Sequence, residues 1–211
     1  MLMEDPEATI YLVDDDPELR KAIERLLESA GLKVTSFASA QQFLASYDRQ
    51  APGCLVLDLA MPSLNGLQLQ RKLEQQASAL PIVFLTGRGD IAASVQAMKH
   101  GASDFLTKPV DDTELLAAIH EALATDRQRR RGSAERERIA QCLAALTERE
   151  RQVLEHIAAG RLNKQIAAEL GTVEKTIKFH RGNLMRKMGV RVVADLVKLA
   201  ERAGIGAPPE R

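Results

Sequence analysis

The stretch LVLDLAMPSLNG, residues 55–66, decides how the first half of the chain is read. Leu55, Val56 and Leu57 form an apolar, partly β-branched run of the kind that suits a strand buried on both faces. The run stops on Asp58 before the turn residues Met61, Pro62, Asn65 and Gly66. A buried strand that ends on a carboxylate delivers charge to the place where open α/β sheets gather function, beyond the carboxyl ends of their strands.

Four further runs around this one have the same character, at residues 10–13, 33–37, 82–85 and 104–106. Helical patterns fall between and after them at 17–29, 39–47, 66–76 and 91–100, and from 112 onward. Five β/α units predict a five-stranded, parallel, doubly wound sheet covered on both faces. From Leu146 the pattern changes to helices only, at 151–159, 163–170, 174–188 and 193–202, with Thr147 and Glu150 spaced as a capping box. The fold class is therefore an α/β domain followed by a small all-α domain. The spans expected are 9–124 for the first, 125–142 for a helical linker and 143–205 for the second. The charge run at 126–131 reads as a helical extension or linker whose arginines form a solvated face, and the Gly/Pro-rich end, 204–211, as frayed.

The 211 residues are 45% hydrophobic, enough for well-packed cores, and their net charge of +0 conceals a division. Residues 1–125 hold 10 Lys+Arg against 18 Asp+Glu, and residues 126–211 hold 19 against 11. A basic half points to a polyanion such as nucleic acid, or to an ordinary solvated surface. No apolar run approaches a membrane span, and Glu4, Asp5 and Glu7 stand where a secretory signal would carry positive charge. The protein reads as cytoplasmic, without a membrane partner. Cys54 and Cys142 lack metal-like spacing and read as reduced core thiols.

The first strand run is followed by Asp14, Asp15 and Asp16 with Pro17 behind them, and the third delivers Asp58. Asp16 has the position of an N-cap before a proline at N1; Asp14 and Asp15 have no such task. Crowded carboxylates repel unless protonated or bridged by a cation, and their hard oxygens suit Mg²⁺. The fourth and fifth strands end on Thr86 and on Phe105, Leu106, Thr107, Lys108 and Pro109, adding a hydroxyl and an ammonium. This ordered set resembles the receiver domain of two-component response regulators. The resemblance implies that Asp58 accepts a phosphoryl group from a sensor histidine kinase. It implies that Asp14, Asp15, Asp58 and the Ala60 carbonyl hold Mg²⁺, that Thr86 and Lys108 bind phosphoryl oxygens, and that Thr86 and Phe105 form the switch pair. An aspartate-dependent phosphatase would use a similar Mg²⁺ site, but needs a second acid two positions after the nucleophile, where Ala60 stands. A regulator acting without phosphorylation is a further alternative. The resemblance also implies that the side chains best placed to orient a hydrolytic water are those of Ala60 and Arg88, two positions after Asp58 and Thr86, and neither suits that task. A long-lived phosphorylated form is therefore expected.

In the basic half, residues 146–150, 163–167 and 176–180 resemble the helix-turn-helix of LuxR-type regulators. The whole chain thus resembles the FixJ/NarL-type response regulators, which implies double-stranded DNA as a partner and a homodimer on phosphorylation. That dimer is expected through the fourth helix, fifth strand and fifth helix. Thr176 and His180 fall in the recognition helix so implied, His180 as either a core residue or a backbone contact. On a helical wheel Ile177, Leu184 and Met188 face one way, and Lys175, Phe179, Gly182 and Arg186 the other. Gly182 costs about 1 kcal/mol of helix stability relative to alanine, so close approach to the groove floor is one reading of it. Phe179 either meets a thymine methyl or packs against a neighbouring helix. Lys164, Lys178, Arg181 and Lys187 are candidates for phosphate contacts. Val173 departs from the family, which carries a capping serine there; Thr172 could substitute, or the helix start less firmly.

Overall fold

Residues alternating between two apolar faces build the sheet of the first domain. The computed structural model describes residues 8–87 and 91–205. Glu4, Asp5, Glu7, Arg88 and the last six residues, for which expectations are stated above, lie outside them. The strands are β1 (Thr9–Val13), β2 (Lys33–Phe37), β3 (Gly53–Asp58), β4 (Ile82–Thr86) and β5 (Asp104–Thr107). They pair in parallel in the order β2-β1-β3-β4-β5. Tyr11, Val13, Leu55, Leu57 and Phe84 pack on one face, and Ile10, Leu12, Val56, Val83 and Leu85 on the other. This is the period-two arrangement of a sheet buried on both sides. Helices α1 (Pro17–Ser29), α2 (Ala40–Ser46), α3 (Gly66–Gln75), α4 (Ile91–Lys99) and α5 (Asp112–Ala144) supply the cover. Asp16 caps α1 as expected, accepting from the backbone N–H groups of Glu18 and Leu19.

The chain divides into two compact units, 1–130 and 131–211. The charge run at the end of the first departs from the sequence reading. Arg129 and Arg130 are half-buried and turn to Asp126, itself buried, instead of forming a solvated face. One carboxylate oxygen accepts from the Gly53 N–H at 3.1 Å and from Arg130 Nε at 2.6 Å, and the other from Arg129 Nη2 at 2.5 Å. Arg130 also donates to the carbonyls of Gln50 and Ala51. Gly53 is held tightly on its other side, since a Cβ built there would lie 2.0 Å from the carbonyl oxygen of Thr9 on β1. Burial pushes the Cys54 thiol up, consistent with a core residue.

The second unit contains the end of α5 and four helices, α6 (Glu148–Ala158), α7 (Asn163–Glu169), α8 (Glu174–Lys187) and α9 (Val193–Arg202). Its core joins Val153, Leu154, Ile166, Ile177, Leu184, Met188 and Leu196. Ile139 and Cys142, read as linker from the sequence, pack into this core as well. The capping box forms, with Thr147 Oγ1 accepting from Glu150 N and Glu150 Oε2 from Thr147 N.

Glu150 is buried and also accepts from Lys187 Nζ at 2.7 Å, while the same ammonium donates to the Ala145 carbonyl at 2.9 Å. The Lys187 hydrogen bond, opposed by burial and helped by the Thr147 N–H, holds the Glu150 carboxyl below its ordinary value of 4.5. A carboxyl depressed on folding contributes stability above its unfolded pKa and loses it as pH falls through the folded one. Glu150→Gln is therefore expected to cost about 2 kcal/mol at neutral pH and little at a pH low enough to protonate the folded carboxyl. Urea denaturation of both proteins at the two pH values checks this, and an equal deficit at both would refute the ionic account.

Candidate functional site

Register builds the first site. Val13 on β1 pairs with Leu57 on β3, so the next residues, Asp14 and Asp58, emerge side by side at the carboxyl edge of the sheet. Asp14, Asp15 and Asp58 bring one carboxylate oxygen each to within 4.8 Å of one another, the first and last buried and Asp15 exposed. Lys108, just beyond β5, places Nζ 2.7 Å from Asp14 Oδ2 and 2.9 Å from Asp58 Oδ1. Burial raises the Asp14 carboxyl, and the neighbouring Asp58 charge adds to that. Lys108 and the Asp16 N–H, which bonds Asp14 Oδ1 at 2.8 Å, pull the other way. Burial alone would lower the Lys108 ammonium, but its hydrogen bonds to Asp14 and Asp58 outweigh this and raise it, so it stays cationic.

Thr86, buried at the end of β4, donates its hydroxyl to the Gly87 carbonyl at 3.2 Å, and its own carbonyl accepts from Lys108 N at 2.6 Å. The half-buried Phe105 ring packs on the core, with its centroid 6.4 Å from that of Phe84. Ala60 is exposed and, with Asp15, Met61 and Asn65, lines an open cavity of about 620 Å³ beside the carboxylates. Two residues that support the site were not assigned to it from the sequence. Arg20 Nη1 donates to the Asp14 carbonyl at 2.7 Å. At Gly66 a Cβ would lie 2.7 Å from the Asp58 carbonyl oxygen, so only glycine lets α3 begin there. Gly66 was visible as a turn residue, whereas nothing local marks Arg20.

Three clustered carboxylates, two of them buried, are a donor set of hard oxygens that fits a divalent cation. One ammonium partly balances that charge, and the exposed Asp15 leaves the cluster open on one side.

The second site lies on α8. Ile177, Leu184 and Met188 are fully buried, and Lys175, Phe179, Gly182 and Arg186 are exposed, as the wheel requires. Phe179 is 65% exposed, which removes the alternative of packing against a neighbouring helix; its ring makes an edge contact with His180 at 5.9 Å. Thr176, His180 and Arg181 are half-buried. Arg181 Nη1 reaches Asn163 Oδ1 at 3.1 Å and ties α8 to α7. Lys164 and Lys178 are exposed, the latter paired with Glu174 at 3.0 Å. Lys187 corrects the sequence reading, because its ammonium is committed to Glu150 and the Ala145 carbonyl instead of standing free for phosphate. Val173 is the N-cap of α8 and makes no side-chain capping bond. Thr172 does not take its place at the cap, which leaves the start of α8 without a side-chain cap. No helix among the described residues is long and apolar enough to cross a membrane.

Residues 10–120 match the family model of the response regulator receiver domain, and residues 144–200 that of the luxR family of bacterial regulatory proteins. The response regulator protein TodT of Pseudomonas putida is 44% identical over 200 residues, covering 95% of this chain and 88% of its own. The transcriptional regulatory protein FixJ of Bradyrhizobium diazoefficiens is 42% identical over 196 residues, covering 93% and 96%. The solved structure of the response regulator StyR superposes with a TM-score of 0.87 at 43% identity, over 93% of this chain and 99% of that one.

Proposed function

Because the chain belongs to the two-component response regulators that join a receiver domain to a LuxR-type DNA-binding domain, we propose that Asp58 accepts a phosphoryl group from a sensor histidine kinase and that α8 reads double-stranded DNA. The observation that carries the first half is the Lys108 ammonium bridging Asp14 and Asp58. Asp14, Asp15 and Asp58, with the Ala60 carbonyl, are the residues to hold Mg²⁺. Bound there, the ion supplies charge neutralisation between the carboxylates and the incoming phosphoryl oxygens. Asp58 then attacks phosphorus in line, forming an O–P bond as the P–N bond to the kinase histidine breaks and the electron pair leaves with the imidazole. Lys108 donates to a phosphoryl oxygen from its place beside Asp58. Thr86 gives up the Gly87 carbonyl to donate to another, and Phe105 moves inward behind it. Positioning and fixed charge suffice for this chemistry.

The phosphorylated receiver is proposed to dimerise through α4, β5 and α5. Val95 and Met98 on α4, 49% and 48% exposed, support this reading as apolar side chains open to a partner. With a sensor kinase and chromosomal DNA as its partners, the protein would act in the cytoplasm. Sedimentation with and without a small phosphodonor and Mg²⁺, followed by duplex binding, tests the sequence of events as a whole.

On DNA, Lys164→Ala is expected to weaken all sequences alike and to lower the salt slope by about one. Phe179→Ala is expected to cost about 1 kcal/mol, mainly on the preferred sequence. Equal losses on preferred and random duplexes for Phe179→Ala would remove that ring from base readout. Asn in place of Ala60 would bring an amide into the cavity beside Asp58, able to orient a water there. Ala60→Asn is therefore expected to shorten the life of the phosphoprotein several-fold. Decay followed in Mg²⁺ buffer measures it, and an unchanged rate would mean that backbone groups hold the water.

A further inference from the structure

We propose that Gly182 is the point of closest approach between α8 and DNA, and that the missing side chain there sets which base-pair step the protein accepts. The proposal rests on the reading of α8 as the recognition helix. Within its own fold a glycine usually answers to a left-handed backbone or to tight packing. Neither applies at Gly182. It lies inside the 14-residue helix α8 and is not among the residues with positive φ. A Cβ built on it would meet nothing within 4 Å among the described residues. Alanine has the higher helix propensity and there is room for it, so the isolated fold would gain from the exchange.

What remains is a reason outside the chain. Gly182 occupies the middle of the exposed stripe, with Phe179 one turn before it and Arg186 one turn after, directly opposite the buried Ile177, Leu184 and Met188. The backbone there is the floor of a notch with an aromatic wall and a cationic wall. Base-pair edges fit such a notch: a thymine methyl against Phe179, and guanine acceptors or a phosphate against Arg186. The exposed Lys164 and Lys175 favour a polyanion over a neutral or basic protein surface. The first turn of α8 is less suited to direct reading, being headed by the apolar Val173 and by Glu174, whose carboxylate pairs with Lys178. Deepest insertion therefore falls at mid-helix instead of at the helix start.

The test uses the full chain, treated with a small phosphodonor and Mg²⁺, and two probes: a duplex enriched from a random pool by repeated binding to the wild type, and the unselected pool. Gly182→Ala is expected to melt a few degrees higher than wild type, and Gly182→Leu no lower. On the enriched duplex both should lose affinity in order of size, at least about fivefold for alanine, with a much smaller loss on the unselected pool. Selection repeated with Gly182→Ala should return a different central base step. Wild-type affinity of Gly182→Ala for the enriched duplex, or equal losses on both probes, would overturn the proposal while leaving α8 as the DNA-binding helix. Weaker self-association with duplex binding intact would also overturn it and assign the notch to a protein. A wild type that enriches no sequence would overturn the proposal together with the reading of α8 beneath it.

Discussion

Replacing Asp58 with asparagine is expected to abolish phosphorylation of the protein. Incubated with acetyl phosphate and Mg²⁺, the wild type should gain the mass of one phosphoryl group and Asp58→Asn none. Asparagine keeps the shape of the side chain, and Lys108 remains held by Asp14 at 2.7 Å, so the fold should survive the change. Lys108→Met separates the role of the acceptor from that of the charge beside it. It leaves Asp58 in place but removes the donor 2.9 Å from its carboxylate, and the rate should fall about a hundredfold with the acceptor unchanged. Equal mass gain by Asp58→Asn and wild type would move the acceptor elsewhere and dissolve the proposed role of the cluster.

The largest stability loss is expected at the other end of the same strand. At Gly53 the first Cβ atom of any other residue would be driven to 2.0 Å from the Thr9 carbonyl oxygen, which is backbone of a paired strand and cannot swing aside. Relief would pull β1 from β3 or draw the Gly53 N–H from Asp126, leaving part of a buried charge network unmatched. Gly53→Ala is therefore expected to destabilise the receiver by about 3 kcal/mol or more. Denaturant unfolding followed by the receiver's own tyrosines, Tyr11 and Tyr47, would measure it. A loss below about 1 kcal/mol would mean that the strand start shifts more freely than its contacts imply.

The carboxylate edge of the sheet was legible because its determinants are local. Each of β1, β3 and β4 announces itself by an apolar run, and each functional group stands at or just past the end of one. Parallel register does the rest, bringing Asp14 to Asp58 without any further information. The inward side of α8 was legible for the same reason, since a period of 3.6 fixes which residues turn to the core. What local pattern could not supply was partnership at long range. Asp126 sits in a run of arginines that looks solvated, and it is buried because a backbone N–H 73 residues away requires an acceptor. Lys187 looks like one more cation on a basic helix, yet Glu150, 37 residues earlier, has taken it. In both cases an unsatisfied buried group decides the pairing, and neither composition nor periodicity reports which groups will be buried.

The contacts of Asp126 bear on how this protein can be cut and recombined. A receiver excised after residue 124 would lose Asp126 and Arg130 together, exposing the carbonyls of Gln50 and Ala51 and the Gly53 N–H at the base of β3. For anyone preparing the receiver alone, or grafting it onto a foreign output module, the junction belongs beyond Arg130. The last turn of receiver-owned helix has to travel with the sheet that it closes.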